Sequence, residues 1–470
     1  MNRYGLTKTA KDYRPLVHIT PPSNWCNDPN GMVYVNGEYH FFYQYYPYAP
    51  NWGPMHWGHC VSRDLLHWKE LPTGIYPDEL GVIFSGSCVF DKENFSGFGT
   101  KENPPMVAVF TSHLMKDGLE QQSIAYSVDY EHFEKYYGNP VIPNPGQNDF
   151  RDPKAFWNPV KECYSLVLAA GDHVEFYASK DLKNWEKTGE FKAGVNGLDG
   201  ICECPDCFPV QTEDGEKWVL IISMIVPEEK IGMDYYTRMT HVTQYYVGEF
   251  DGDKFIDTEK NAAPLMIDFG TDNYAAVTFQ NLEEKVLVGW ADNWAYANYS
   301  PTAECGFRGK MTLARKMKLV KTQKGYRLAF SNEGLELLRK NSCSLKEGKN
   351  RLRTSTFGLK VEVEGEGSIV FKNSVGDEIV ITVTEDEYVV DRTKAGQKEF
   401  NEFYAKECYG INRAPRLKKE SNMEIVFDKC ILEVLADDGL APITACVFPN
   451  HPYEEIVVSG DLDVKFFNIY

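Results

Sequence analysis

The first 330 residues carry short runs of apolar and aromatic residues, each bounded by Gly, Pro, Asn or Asp. Apolar positions at helical spacing are scarce in this part of the chain. Runs of this length and composition are typical of β-strands. The pattern therefore predicts strands at Met32–Val35, Tyr39–Tyr45, Met106–Thr111, Tyr164–Ala169, Trp218–Met224 and Val286–Ala291.

A loose repeat is superimposed on these strands. Ser62–Trp68 (Ser-Arg-Asp-Leu-Leu-His-Trp) is similar to Ser179–Trp185 and Ser127–Phe133, and Gly248–Phe255 is a degenerate fourth copy. Each copy predicts a hairpin turn followed by a packed aromatic ring. A period of about 50–70 residues matches one four-stranded blade of a β-propeller. Residues 1–330 are therefore predicted to form a five-bladed β-propeller.

The pattern changes near residue 331. Ser331–Lys340 has a capping residue, apolar positions at helical spacing and a basic end, which predicts a linking helix over residues 331–345. Residues 346–470 alternate more regularly and predict a C-terminal β-sandwich. Its predicted strands are Leu359–Glu364, Ser368–Phe371, Glu378–Val383, Glu387–Val390, Met423–Phe427, Ile431–Leu435, Ile443–Phe448 and Val464–Phe467. The predicted fold class is all-β.

Length and charge limit the classes of function. A chain of 470 residues is expected to form two domains. Its net charge of −19 disfavours nucleic acid and anionic membranes as partners, because both require clustered Lys and Arg. An uncharged small substrate fits this charge best. The sequence leaves open whether the chain forms a homo-oligomer.

The sequence also bears on location. The first ten residues contain no apolar signal-peptide core, and no stretch approaches the ~20 apolar residues of a membrane span. These observations predict a cytoplasmic protein. The twelve cysteines have no disulfide-framework spacing, so most are expected to be free thiols.

Three acidic motifs carry the candidate chemistry. They are Trp25–Gly31 around Asp28, Arg151-Asp152-Pro153, and Glu203-Cys204-Pro205-Asp206. Each motif holds a carboxylate beside a proline or a turn residue, where the backbone is restrained. If the fold brings the three together, they can cleave a glycosidic bond, which needs a proton donor and a carboxylate that attacks or activates water.

Each acid has a functional and a purely structural interpretation. Asn27 and backbone donors would keep Asp28 ionised as a nucleophile, or Asp28 serves only as a turn residue. Arg151 would keep Asp152 charged to hold sugar hydroxyls, or the two form a local salt bridge. Partial burial would raise the pKa of Glu203 and suit a general acid, or Glu203 is a solvated loop residue.

Metal binding is not predicted. Cys202, Cys204 and Cys207 lie close together, but no second ligand pair with zinc-site spacing follows them. His56 and His59 lack an evident third ligand, which favours a structural role. The sequence contains no nucleotide-binding or Gly-x-Ser-x-Gly motif, so no cofactor is expected.

The three motifs, taken with others, resemble glycoside hydrolase family 32. Trp25–Gly31 is similar to the family's Trp-Met-Asn-Asp-Pro-Asn-Gly signature. Further matching segments follow in the family's order over nearly the whole chain: Phe42–Tyr45, Asn51–His59, Phe84–Ser87, Phe150–Lys154, Glu203–Asp206, Gly289–Tyr296, Arg308–Thr312, Val389–Gly396 and Val434–Gly439. The resemblance implies a five-bladed propeller, a β-sandwich and retaining hydrolysis of β-fructofuranosides.

The resemblance also implies roles for individual residues. Asp28 would be the nucleophile, Glu203 the acid/base and Asp152 the stabiliser of the transition state. Residues matching positions around the bound fructosyl unit are Asn27, Gln44, Trp52, Phe84, Ser85, Arg151 and Trp294. The implied activity is exo-acting release of fructose from sucrose, fructo-oligosaccharides or fructan ends such as levan and inulin. A fructosyltransferase, a sucrose-6-phosphate hydrolase and a non-catalytic lectin remain alternatives.

Two departures from the family pattern stand out. Cys26 replaces the usual Met or Leu after Trp25, which is interpreted as a packing change. Tyr299–Gly309 is about two residues longer than the corresponding family segment, has Phe307 in place of Trp, and adds the charge of Glu304. We expect this loop to approach the rim of the pocket and to affect the leaving-group side.

Overall fold

A computed structural model describes residues 12–194, 197–231 and 239–469. The N-terminal segment used for the signal-peptide prediction lies outside the described residues. The predicted all-β class is confirmed: five small sheets form a five-bladed β-propeller, and one ten-stranded sheet forms the C-terminal domain. None of the helices in the described part of the chain has the length and apolar character needed to cross a membrane.

Each blade starts at the propeller axis and is built of antiparallel neighbours. Blade 1 contains β1 (Asn24–Val35), β2 (Glu38–Tyr46), β3 (His56–Ser62) and β4 (Lys69–Glu70). Blade 2 contains β5 (Val82–Phe90), β6 (Met106–Leu114), β7 (Leu119–Ser127) and β8 (Glu134–Lys135). Blade 3 contains β9 (Phe150–Asn158), β10 (Cys163–Ala170), β11 (His173–Ser179) and β12 (Glu186–Lys192).

The last two blades complete the ring. Blade 4 contains β13 (Ile201–Thr212), β14 (Gly215–Ile225), β15 (His241–Phe250), β16 (Phe255–Asp257) and the short β17 (Leu265–Met266), which pairs with β15. Blade 5 contains β18 (Tyr274–Thr278), β19 (Val286–Trp290), β21 (Arg315–Thr322) and β22 (Gly325–Asn332). The short β20 (Phe307–Arg308) pairs in parallel with β1 and closes the propeller.

The repeated motif forms the turn between the third and fourth strands of a blade. In the first copy, Asp64 Oδ1 accepts hydrogen bonds from the backbone N–H of Leu66 and His67, at 3.0 and 2.8 Å. Leu65 adopts a left-handed φ of 64°, and Trp68 Nε1 donates to its carbonyl at 3.2 Å. Asp129, Asp181 and Asp251 accept equivalent hydrogen bonds from backbone N–H groups, so the copies share one turn geometry.

The C-terminal domain is a nearly closed sandwich made from one connected sheet. Its strands are β23 (Arg339–Ser344), β24 (Gly348–Arg351), β25 (Thr356–Lys372), β26 (Glu378–Val383), β27 (Glu387–Lys394), β28 (Ile411–Pro415), β29 (Ser421–Asp428), β30 (Ile431–Ala436), β31 (Ala441–Cys446) and β32 (Glu455–Ile469). Two predicted strands, Leu359–Glu364 and Ser368–Phe371, are parts of the single strand β25, which is interrupted by a register shift.

In the described part of the chain, helical structure occurs only as short turns. The two α-helical turns are α1 (Glu402–Ala405) and α2 (Glu407–Gly410). The 3-10 turns of the described residues are Glu228–Lys230, Ala297–Tyr299, Pro301–Cys305, Leu335–Leu338 and Asp437–Gly439.

The predicted linking helix over residues 331–345 is wrong. Only Leu335–Leu338 forms a 3-10 turn, and the following residues form β23, which pairs with β32 in the C-terminal sheet. Leu335 and Leu338 are both buried in one apolar cluster between the domains. This burial explains the apolar spacing that resembled a helix. The following residues form a strand because the edge of β32 offers unpaired backbone groups, with which β23 pairs.

Buried ion pairs join the two domains. Arg315 in β21 donates through Nη2 to Glu433 Oε2 in β30 at 2.8 Å, and through Nη1 to Asp268 Oδ2 at 2.8 Å. His18 lies between Asp428 and Glu433, with ring nitrogens 2.9 and 3.1 Å from their oxygens. All of these charged side chains are almost completely buried, so the interface fixes the sandwich against blades 4 and 5.

Candidate active site

The innermost strands of all five blades are irregular at the same end of the propeller. Each of them loses its regular register with the neighbouring strand of its blade. Such bulges bend a strand and redirect the side chains beside them. The polar residues at or next to these irregularities are Asp28, Ser85, Asp152, Glu203 and Tyr274. Five separate strands thereby bring polar side chains to one position on the axis.

A cavity of about 730 Å³ opens at this position. All ten residues that the sequence predicted for the site line it: Asn27, Asp28, Gln44, Trp52, Phe84, Ser85, Arg151, Asp152, Glu203 and Trp294. Other lining residues with titratable side chains, which sequence reasoning did not single out, are His113, Asp117, Glu120, Asp149 and His241. The cavity is therefore strongly acidic.

Asp28 is held by neutral donors. Ser85 Oγ donates to its Oδ2 at 2.7 Å, and Asn27 Nδ2 donates to its Oδ1 at 3.1 Å. Asn27 is itself oriented by Trp25 Nε1, which donates to the amide oxygen at 2.8 Å. Burial nevertheless raises the pKa of Asp28 above the usual aspartate value, and the two donors only partly offset this rise.

Asp152 differs from expectation. Burial raises its pKa to about 7, although the nearby charge of Arg151 acts in the opposite direction. Its Oδ2 accepts a hydrogen bond from the backbone N–H of Cys204 at 2.9 Å, and the local ion pair with Arg151, which was the structural alternative, does not form within the described residues. Consecutive strand residues point in different directions, and Asp152 adopts a left-handed φ of 64°.

Arg151 instead connects the acids on the other side of the cavity. Its Nη1 donates to Asp149 Oδ1 at 2.7 Å and lies 3.3 Å from Glu120 Oε1. Its Nη2 donates to Glu203 Oε1 at 3.1 Å. The surrounding carboxylates outweigh the effect of burial and raise the pKa of Arg151, so the guanidinium stays charged.

Glu203 is oriented from both sides. In addition to the bond from Arg151, its Oε2 accepts a short hydrogen bond from the Tyr274 hydroxyl. Burial and the adjacent carboxylate raise the pKa of Tyr274 well above its usual value, so this hydroxyl keeps its proton. His241 packs edge-on against Tyr274 at 5.2 Å, and burial lowers its pKa to about 4. Neither Tyr274 nor His241 was recognisable from the sequence, since neither lies in an acidic or turn motif.

One thiol contacts two of the acids. Cys204 Sγ lies 3.6 Å from Asp28 Oδ2 and 3.5 Å from Asp152 Oδ2. Burial raises the pKa of this thiol well above its usual value, so it remains protonated and acts as a weak donor. The shared contact establishes that Asp28 and Asp152 lie beside each other, although blades 1 and 3 supply them.

A buried ion pair and several aromatic rings lie around the acids. Lys154 Nζ lies 3.2 Å from Asp206 Oδ2, and both side chains are almost completely buried on the axis. Above them, Trp52 contacts Phe84 edge-on at 6.2 Å. Trp294 packs 5.8 Å from Trp25. Aromatic rings therefore form part of the wall of a cavity whose other lining residues include six carboxylic acids.

The residues considered for metal binding are engaged elsewhere. Burial raises the pKa of Cys202 and Cys207, like that of Cys204, so all three stay thiols. His59 is stacked on Phe42 at 3.9 Å inside blade 1. Within the described residues, the one cluster with metal-ligand proximity is His173, Glu175 and Glu190, and Lys187 already pairs with two of these acids.

The added charge of the loop Tyr299–Gly309, which is that of Glu304, does not lie in the cavity. Glu304 is exposed and is not among the residues that line the pocket, which corrects the expectation from the sequence. Gly306 turns the chain through a left-handed φ of 79°, and Phe307 is buried under the guanidinium of Arg14. Asn298, just before this loop, contacts the rim by accepting a hydrogen bond from the Trp52 backbone at 3.0 Å.

This fold and acid cluster agree with comparisons to known proteins. The sequence matches the model of the glycosyl hydrolases family 32 N-terminal domain over residues 18–330 and that of the family 32 C-terminal domain over residues 311–469. The chain belongs to glycosyl hydrolase family 32. It is a glycoside hydrolase of the β-fructofuranosidase kind.

Several characterised relatives cover nearly the whole chain. The chain is 38% identical to the levanase of Bacillus subtilis (strain 168), covering 98% of this chain and 70% of that protein. The crystal structure of exo-inulinase from Aspergillus awamori matches with a TM-score of 0.87 and 28% identity, over 98% of this chain and 99% of the other. The β-fructofuranosidase of Schwanniomyces occidentalis, complexed with fructosyl-erythritol, matches with a TM-score of 0.83 and 26% identity over 97% and 98% of the two chains.

Proposed function

We propose that this chain is a retaining, exo-acting β-fructofuranosidase that releases fructose from sucrose, fructo-oligosaccharides and the ends of fructans such as levan and inulin. The observation that carries the proposal is the convergence of Asp28, Asp152 and Glu203 on one cavity. Relatives named levanase and exo-inulinase support the choice of substrate class.

The proposed reaction has two steps. Asp28 attacks the anomeric carbon of the fructosyl unit, while Glu203 gives its proton to the departing glycosidic oxygen. A fructosyl ester on Asp28 results. Glu203, now ionised, takes a proton from water, which attacks the anomeric carbon and breaks its bond to Asp28; fructose is released, the Asp28 carboxylate is restored and Glu203 is protonated again. Asp152 holds fructose hydroxyls and stabilises the positive charge of the transition state.

The surroundings of Asp28 and Glu203 position these two acids for the reaction. Asp28 has only neutral donors, which leaves its charge available for attack. Arg151 and the Tyr274 hydroxyl fix the two oxygens of Glu203, so its orientation is determined before substrate arrives.

The shape of the cavity supports exo action. Lys154 of blade 3 pairs with Asp206 of blade 4 and donates to the Thr278 carbonyl of blade 5, so buried side chains link three innermost strands, which supports a cavity that is blocked along the axis. A pocket blocked in this way would accept a terminal sugar and leave the remainder of the substrate outside.

The charge of the cavity favours substrates without phosphate. Six lining residues are carboxylic acids, and Arg151 is the one lining Arg or Lys among the described residues. Arg151 already contacts three of these acids, Asp149, Glu120 and Glu203. A phosphate group would meet net repulsion, which weighs against the sucrose-6-phosphate alternative.

Time-resolved product analysis tests the proposal. Sucrose, inulin, levan and short oligomers should each release fructose as the first product, and Asp28→Asn should abolish the release. Initial products of intermediate length would contradict exo action, and accumulation of longer oligosaccharides would favour the fructosyltransferase. A higher kcat/KM for sucrose 6-phosphate than for sucrose would contradict the preference for unphosphorylated substrates.

We also propose a cytoplasmic location. All twelve cysteines are free of disulfide bonds, and nine of them are buried. Fractionation of the producing cell, with an antibody against the chain, tests this location directly.

A further inference from the structure

A second cavity lies at the opposite end of the propeller from the acids. Its volume is about 330 Å³. Trp157 lines it near the end of β9, five positions beyond Asp152, which corresponds to roughly 16 Å along a strand. Val89 and Phe90 line it at the end of β5, whereas Ser85 lies near the start of that strand. This cavity is thus separate from the catalytic one.

Two half-exposed aromatic rings form one side of this second cavity. Phe95 is 46% exposed and Trp157 is 43% exposed, although both are large apolar side chains. Their ring planes differ by only 14°, and their centroids are 5.7 Å apart. Rings at this separation are offset rather than directly superimposed, so each leaves part of its face uncovered. We call this pair the aromatic platform.

The aromatic platform is held rigidly from beneath. Tyr164 is buried and stands nearly perpendicular to both rings, at 84° to Trp157 and 82° to Phe95. Asp91 Oδ1 accepts hydrogen bonds from the Tyr164 hydroxyl and from the Phe95 backbone N–H, each at 3.0 Å. Its Oδ2 accepts two more from Ser96, at 2.8 and 2.6 Å. A fully buried carboxylate therefore fixes the loop that presents Phe95.

The polar residues around the aromatic platform suit an uncharged, hydroxyl-rich ligand. Lys92 and Glu93 supply one charge of each sign, and Gln280 and Asn281 supply amide groups. Aromatic faces carry partial negative charge and attract the C–H groups of sugar rings, while charged and amide side chains bind hydroxyls. This combination contrasts with the acidic catalytic cavity, and it leaves no net charge to select an ionic ligand.

We propose that the aromatic platform is a second carbohydrate-binding site that holds an internal segment of a β-fructan chain. The inference rests on the proposed function, because it assumes that polymeric fructan is a substrate. Binding at this end anchors a polymer while its chain ends enter the catalytic pocket of the same or another molecule. Small substrates, which occupy only the pocket, gain nothing from it.

The test uses affinity electrophoresis in gels that contain levan or inulin. All proteins in the gel carry Asp28→Asn, so that they do not digest the polymer. Phe95→Ala and Trp157→Ala are introduced into this inactive protein singly and together. The fully exposed Tyr137→Ala is the matched control, since Tyr137 is 95% exposed and outside the cavity. We expect the double variant to weaken polymer retention about tenfold, on the scale of a lost aromatic contact, and the control to have no effect.

Turnover by proteins with an intact Asp28 provides the second readout. The double variant should lower kcat/KM for levan or inulin and leave that for sucrose unchanged. Trp157→Phe keeps a ring and should retain most of the binding, and thermal unfolding checks that each variant is folded.

Different failures are distinguishable. If the enzyme with intact Asp28 hydrolyses the polymer, but the double substitution leaves polymer retention unchanged, the second site alone is overturned. An enzyme that neither hydrolyses nor binds polymer would overturn both the site and the fructan part of the proposed function. If the double variant has a smaller oligomeric mass in solution than the unsubstituted protein, the aromatic platform is a contact between copies of this chain, and the proposal is overturned.

Discussion

Two carboxylates of the catalytic cavity, Asp28 and Asp152, and Glu433 of the domain interface are all buried, but their pKa values shift in opposite directions. At the interface, the charges of Arg315 and His18 outweigh burial and lower the pKa of Glu433 to about 2. In the cavity, burial raises the pKa of Asp28, and it raises that of Asp152 to about 7. The residue types are the same, and the difference lies in the partners that the fold supplies.

This difference separates stability from reactivity. A buried acid that is paired with a cation stabilises the fold while the pair is intact. A buried acid with neutral donors alone keeps unsatisfied charge, and the fold tolerates it at an energetic cost. Asp28 is of the second kind, because its hydrogen-bond donors are neutral and no cation pairs with it. The following predictions test whether the two regions really differ in this way.

The largest expected effect is that of Asp28→Asn. The amide cannot attack the anomeric carbon, so kcat should fall by at least about 10⁴-fold on sucrose. The melting temperature should stay the same or rise, because the substitution removes a buried charge with a raised pKa. Steady-state kinetics and calorimetry measure the two quantities. A marked loss of stability would mean that Asp28 is a structural residue.

Glu203→Ala should separate substrates by their leaving groups. Protonation of the departing oxygen contributes about 10²–10⁴-fold to natural substrates, and much less to an aryl β-fructofuranoside with an acidic phenol. We therefore expect a large loss of rate on sucrose and a far smaller loss in the first step with the aryl substrate. An equal loss on both would show that Glu203 is not the proton donor.

Glu433→Gln should affect stability rather than chemistry. It removes one of the two buried carboxylates that pair with each of Arg315 and His18, and should cost about 3–5 kcal/mol of unfolding free energy. Activity per folded molecule should be unchanged. The control is Glu38→Gln in the exposed Arg63–Glu38 pair, which should leave denaturant unfolding unchanged. Similar losses in both variants would contradict the contrast.

A pH titration should separate the two regions further. Because burial raises the pKa of Asp28 and Asp152, kcat/KM should fall on acidification with an apparent pKa above the ordinary aspartate value of ~3.9. An acid limb at or below that value would contradict the burial argument.

Stability should follow a different pH dependence. The lowered pKa of Glu433 adds stability that is present above its unfolded value of ~4.3 and lost as pH falls through about 2. The raised pKa of His18 adds stability that is complete below ~6.5 and lost as pH rises through about 9. In mild acid the enzyme should therefore lose activity while it remains folded, which circular dichroism and kinetics can measure on the same samples.

The sequence predicted the parts of the molecule that local chemistry determines. The repeated Ser-x-Asp motif encodes a turn through its own backbone hydrogen bonds, so the blades could be predicted. Ten of the residues that line the cavity were predicted from motifs that resemble a known family. Both kinds of signal are contained in short stretches of chain.

The features that sequence reasoning missed depend on contacts between distant segments. Leu335 and Leu338 resemble a helix face, but an interdomain cluster and the edge of β32 determine their structure. Arg151 turns away from its neighbour Asp152 because Glu203 in another blade accepts its hydrogen bond. Tyr274 meets Glu203 only after the propeller closes, and nothing in its local sequence indicates this contact.

The most direct test of the central claim is mass spectrometry of a trapped intermediate. Glu203→Ala enzyme, mixed with an activated aryl β-fructofuranoside and quenched in acid, should carry one fructosyl group on the peptide that contains Asp28. Without the glutamate, water attacks the ester slowly, so the adduct should accumulate. A fructosyl group on Asp152 or another residue would contradict the assignment of Asp28 as the nucleophile. Release of the phenol without any adduct, together with fructose of inverted anomeric configuration, would contradict it as well.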